Sequence, residues 1–196
     1  VLWRWAEEMK TIMEKLKQSI VDKAVLKQDV FAKTKLLFEQ FKVEIGIVSN
    51  EIHDFITPSD ARVSVELKTT EAYEARMTLA GDTIVFHMHT NVFTFPEYHM
   101  IHKSPYVMDT PGNAYCGIIN VYNFLTDSYR FQRVNDSGYL VARIFVNREG
   151  HFFVEGQGQL GFLFKDFATK EFDKESMRSV IVTALQHIID FDLYTP

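Results

Sequence analysis

Residues 2–56 hold no proline and one glycine, Gly46. A stretch of that length without a turn cluster constrains the chain to helix, and its apolar spacing agrees. Leu2, Trp5, Met9, Ile12 and Leu16 recur in steps of three and four, one stripe of an amphipathic helix. A second series runs Phe31, Thr34, Phe38, Phe41, Ile45, Val48, Ile52 and Phe55. Between the two, SIVDKAVLKQD breaks the register and offers Ser19, Asp22 and Asp29 as caps. The spacing predicts two helices, about 3–20 and 28–55, with a hairpin as one way to join them. Gly46 weakens the second by about 1 kcal/mol relative to alanine. Thr57-Pro58-Ser59-Asp60 ends the helical part.

From Arg62 the apolar period changes to two. Val63, Val65 and Leu67 alternate with Ser64, Glu66 and Lys68; Tyr73, Ala75, Met77 and Leu79 alternate with Glu74, Arg76 and Thr78. Gly81-Asp82 marks a turn before Ile84, Phe86 and Met88. Residues 96–114 carry three prolines and read as irregular. Strand patterns return at 115–125, 129–134 and 139–146, separated by short turn sequences, and a last arm begins at His151. Asp173 is placed to cap a helix with the stripe Met177, Val180, Ile181, Ala184, Leu185 and Ile188. The expected fold is α+β: two N-terminal helices, a mostly antiparallel meander of about seven strands, and a long C-terminal helix packed on the sheet. Residues 1–57 form a helical segment that packs on the sheet or on a partner subunit. Residues 58–196 supply sheet and last helix, the whole making one compact domain.

Charge narrows the function classes. Net charge is −5, and its basic and acidic groups are spread along the chain: nine and nine in residues 1–57, four and seven in 58–112, eight and ten in 113–196. Without a Lys/Arg run or basic face, nucleic acid and an anionic membrane are poor partners. No apolar run nears the ~20 residues of a membrane helix. Cys116 is the single cysteine, which excludes an intrachain disulfide and fits a cytoplasmic, reducing setting.

Gly156, Gly158 and Gly161 spell G-x-G-x-x-G, the spacing of a dinucleotide loop. That loop requires a parallel βαβ unit and an acidic residue about 20 positions on. Here the preceding segment is a hairpin arm, and Ser176 to Gln186 holds no Asp or Glu. The glycines therefore read as a kink or bulge. Four of the seven histidines, His87, His89, His99 and His102, lie within sixteen residues. His87-x-His89 on a strand puts both rings on one face, a common way to supply two ligands to a transition metal such as zinc. The glutamate such sites often add four or five residues later is replaced by Phe93 and Thr94.

No G-x-S-x-G occurs, and Cys116 sits at the start of an apolar strand as a structural thiol would. Arg143, among apolar strand neighbours, suits a carboxylate from protein or ligand. With 17 Phe, 8 Tyr and 2 Trp, the chain has rings enough to wall a cavity as well as fill a core. The resulting expectation is a non-catalytic binding or regulatory module for a small hydrophobic or aromatic ligand. Its pocket would lie between sheet and last helix, with Arg143, Tyr122, Tyr139 and Phe153 as binding residues. A metal-dependent enzyme using the histidines, and a homodimer through the N-terminal helices, are the alternatives. The Phe-rich seam of the second helix suits a sheet or a broad intersubunit core.

Overall fold

The computed structural model describes residues 2–69, 71–191 and 193, and for residues 2–4 and 6 the backbone alone. The chain opens with one helix, α1 (Leu2–Ile56), of 55 residues. Strands β1 (Val65–Lys68), β2 (Glu74–Leu79), β3 (Asp82–Met88) and the short β4 (Phe93–Thr94) follow. A loop carrying α2 (Pro105–Asp109) leads to the long β5 (Tyr115–Leu125) and to α3 (Thr126–Arg130). Then come β6 (Tyr139–Asn147), β7 (Phe152–Gly156), the single-turn α4 (Leu160–Leu163) and α5 (Lys174–Asp190). The sheet has seven strands in the order β1-β2-β3-β5-β6-β7, every neighbour antiparallel, with β4 paired to the start of β5.

The two expected N-terminal helices are one. Ser19, Asp22 and Asp29 cap nothing; they lie inside α1, where Gln18 Nε2 donates to Asp22 Oδ1 at 2.8 Å, a bond between successive turns. Ser and Asp lower helix propensity by less than about 0.7 kcal/mol each, and no Gly or Pro accompanies them. The break in the apolar pattern therefore marks a change of surroundings. From Val30 onward α1 is buried along one face against the sheet and α5; Trp5 to Val25 is exposed wherever its side chains are described.

The second correction concerns residues 129–134. The alternation Tyr129, Phe131 predicts a strand, but the chain forms α3 and a turn with Gln132 at φ 50. Tyr129 packs edge-on to Phe124 (5.2 Å) and under the Arg76 guanidinium (4.5 Å), and Ser128 Oγ donates to Asp136. Local polar and aromatic contacts outweigh the two-residue period there. Strand β4, just before the irregular residues 96–114, is not among the expected strands, because two residues carry no period.

One sheet face meets the helices. Ala75, Met77, Ile84, Phe86, Ile119, Val121, Ile144, Phe152 and Val154 pack against Phe38, Phe41 and Ile45 of α1 and against Val180, Ile181, Ala184 and Leu185 of α5. Phe41 sits at the centre, 5.5 Å from Phe86 and 5.3 Å from Phe172 between ring centroids. Helix α1 crosses β5 so closely that a Cβ on Gly117 would stand 2.3 Å from Thr34 Oγ1. Arg178 of α5 pairs with Glu51 of α1, and Lys174 Nζ lies 3.4 Å from the buried Glu44. Among the described residues, no helix is long and apolar enough to cross a membrane.

Two outcomes follow from this packing. Phe41→Ala lowers the free energy of unfolding by about 3–5 kcal/mol in a urea titration, whereas Val43→Ala, on the exposed face of the same turn, changes it by less than about 0.5 kcal/mol. The Asp173 carboxylate accepts from Ser176 N–H at 2.8 Å, and this backbone bond holds its pKa below the ordinary value. Because the folded pKa is the lower one, the cap stabilises above the unfolded pKa of about 4, and its contribution fades as pH falls through the folded value. Asp173→Ala therefore costs about 1 kcal/mol at pH 7, and the gap to the parent closes in acid.

Candidate functional site

The face of the sheet turned away from α1 and α5 carries the chemistry. Successive pairings set Glu74 opposite His87, His87 opposite Asn120, Asn120 opposite Arg143 and Arg143 opposite Glu155. Directly paired residues share a face, so these five side chains form one polar row across five strands. Arg76, beside the row on β2, pairs with Glu74 at 2.5 Å. Arg143 makes no ion pair with the described residues; its cross-strand neighbour Glu155 instead stands 3.7 Å from His99 Nε2.

Next to the row lies an aromatic layer. Phe145 and Phe153 stack at 4.8 Å with planes 16° apart. Phe95 from the β4 loop packs on both, at 5.0 and 5.6 Å, and stacks His99 on its other side at 4.5 Å. Phe167, from the segment between α4 and α5, meets Phe153 edge-on at 5.1 Å. With Ile101, Val107, Ala114 and Cys116, these rings form a second hydrophobic cluster, separate from the one under the helices. Burial within it pushes the Cys116 thiol far above its usual range, so it is no nucleophile at neutral pH.

A hydrogen-bond network, anchored on the buried Asn147, ties the covering loop to the sheet. Tyr106 of α2 donates its hydroxyl to Glu149 Oε2 and accepts from Asn147 Nδ2 at 2.7 Å. Asn147 Oδ1 in turn accepts from the Glu149 and His151 N–H groups, both at 3.0 Å. The His151 ring stacks on Tyr106 at 5.0 Å. Desolvation, then the bond to Glu149, raises the Tyr106 hydroxyl well above the ordinary tyrosine pKa, so it stays a donor.

Between the β4 loop and the segment 165–168 a cleft of about 500 Å³ remains, open on one side. Phe153 and Phe167 form its apolar floor, Met100, Ile101 and Ala168 its walls, and His99, Ser104, Lys165 and Asp166 its polar edge. A second cleft, about 540 Å³ and more polar, lies at the start of α5 among Thr169, Lys170, Glu171 and Ser176. The space between sheet and α5 is filled by side chains of the main core.

The four expected binding residues divide between the faces. Arg143, Tyr122 and Phe153 are on the outer one, but only Phe153 reaches the cleft. Tyr139 is on the inner one, stacked on Phe191 (4.9 Å) beyond the end of α5. The histidines are likewise not brought together. The His89 ring meets Phe93 and its Nδ1 accepts from Asn91 N–H; His99 Nδ1 accepts from Ile101 N–H; His102 Nε2 is 3.0 Å from Phe95 O; His87 belongs to the polar row. Among the described residues, no three His, Cys, Asp or Glu side chains converge to hold a metal ion.

The glycine loop follows an antiparallel strand. A Cβ on Gly161 would lie 2.4 Å from Gly156 O, and Gly158 has φ 53, so the glycines allow a tight turn under α5. Lys165, Ser104 and Ala168 were not singled out from sequence, because they stand in connectors without apolar period. The one available signal was Phe164 and Phe167 flanking Lys165-Asp166, two rings in a stretch otherwise read as a link.

Comparison with protein-family models, with curated proteins and with solved structures gives no match.

The network around Tyr106 makes its own prediction. Tyr106→Phe leaves the Nδ2 of the buried Asn147 without its acceptor, and costs about 1–3 kcal/mol in thermal or urea unfolding.

Proposed function

We propose that this chain is a non-catalytic binding module for a small ligand with an apolar or aromatic body and an acidic group. The observation that carries the reading is the cleft of about 500 Å³ lined by Phe153 and Phe167, with Lys165 among its polar lining residues. Its volume falls within the roughly 300–1,000 Å³ range of small-molecule sites, and it joins an apolar floor to a few polar groups at the rim. The second hydrophobic cluster supports it, because the walls are held by packed rings and by the Tyr106 network. Phe153 was among the residues expected to bind; the reading moves the pocket from the helix side to the outer side of the sheet. A homodimer through the N-terminal helix belongs to the same reading and is developed below.

The test is a fluorescence titration with 8-anilinonaphthalene-1-sulfonate, an aryl anion, followed by displacement with decanoate. Binding saturates at one equivalent, and Ala168→Trp, which fills the cleft, weakens it at least about tenfold, or 1.4 kcal/mol. Lys165→Glu weakens both anions while leaving folding unchanged. Probe binding that does not saturate, or that Ala168→Trp leaves intact, contradicts the proposal.

A further inference from the structure

The exposed half of α1 carries an apolar stripe with nothing on it. Trp5 is 63% exposed and Ile12 56%, and Met9, Met13, Leu16 and Ile20 are exposed beside them. At about 100° per residue, these six side chains fall within an arc of about 100°. Val30, Thr34, Phe38, Phe41, Ile45 and Val48, which are buried on the sheet, fall on the same arc. The face that packs inside the protein therefore continues outward past its edge. Lys23 and Lys27 interrupt it where the helix leaves the sheet.

We propose that this stripe is a self-association surface, and that two copies of the chain pair through residues 5–20 as an antiparallel two-helix coiled coil. The spacing selects a helix as the occupant: Trp5, Met9, Ile12 and Leu16 keep the three-four alternation of a coiled-coil seam, and Met13 and Ile20 broaden it. The direction follows from the shared arc. Beyond residue 30 the seam face of each copy is occupied by its own sheet. Two parallel copies would bring both sheets into the same space just past Ile20. Antiparallel copies place their sheets at opposite ends of the paired segment.

The residue types fit one antiparallel register. It sets Trp5 against Leu16 of the second copy and Met9 against Ile12 of the second copy, in four symmetric layers. Glu8 of each copy then flanks Lys15 of the other, two opposite-charge pairs across the seam. Sliding by one heptad sets Trp5 against Lys23 and Met9 against Ser19, so the register is specified by what it avoids as well.

The experiment is light scattering on the full chain over a concentration series, with cysteine cross-linking for direction. The expected mass is twice that of the chain at high concentration and falls on dilution. Leu16→Glu, an exposed position that leaves the folded body intact, gives the single-chain mass throughout. Trp5→Cys and Leu16→Cys chains, mixed and oxidised with copper phenanthroline, form the mixed disulfide, and neither forms a disulfide with itself; Cys116 is buried and stays out of the reaction. A single-chain mass at every concentration, a dimer that survives Leu16→Glu, or a Trp5→Cys disulfide with itself would each overturn the proposal. These readouts are independent of probe binding at the cleft, so either can fail alone.

Discussion

Everything in this molecule is arranged around one contact, the burial of the α1 face from Val30 to Val48 on a single side of an antiparallel sheet. The core residues of six strands and of α5 converge on it, with Phe41 between Phe86 and Phe172. Burying six or more such side chains, at about 1.5–3 kcal/mol each, supplies the dominant favourable term for ordering the sheet. It also fixes the direction in which the rest of α1 points. A straight helix held along one half of its length must carry the other half away from the body. That is why Trp5 to Val25 stands in solvent while belonging to the same element as the core.

The same contact explains the outer face. With both long helices on one side, the other side of the sheet is free to be polar across its middle and aromatic toward one end. The row Glu74, His87, Asn120, Arg143 and Glu155 lies on the face away from both long helices, and the loop after β4 packs over Phe145 and Phe153. The Tyr106–Asn147–Glu149 network fixes that loop, and the segment 165–168 stops short of it. The cleft is the gap between two partial covers. Its apolar floor and charged edge are consequences of where the coverage ends.

Much of the architecture was legible as periodicity. The steps of three and four in residues 31–52 and 177–188 mark the buried faces of α1 and α5, and the period of two from Arg62 marks the antiparallel strands. Asp173 stands where an N-cap was expected and accepts from Ser176 N–H. The misreadings share a cause. Apolar pattern reports the surroundings of a side chain, not the backbone on which it sits. Hence a helix that leaves its sheet near Lys23 resembled a helix that ends, and Tyr129 and Phe131 resembled a strand although they pack from a helical turn. The site was less legible for a related reason. Phe153 and His99 are neighbours of the cleft through loops whose lengths encode no geometry, and the proximity of four histidines in sequence says nothing about where the irregular residues 96–104 carry two of them.

The account stands or falls on α1 being one helix with two differently held halves, and amide hydrogen exchange along it tests that most directly. Residues 30–52 should exchange only through global unfolding, at a rate independent of protein concentration. Residues 5–25 should be protected at high concentration and lose that protection on dilution. Rapid exchange in 30–52, or residues 5–25 protected to the same degree at every concentration, would contradict it.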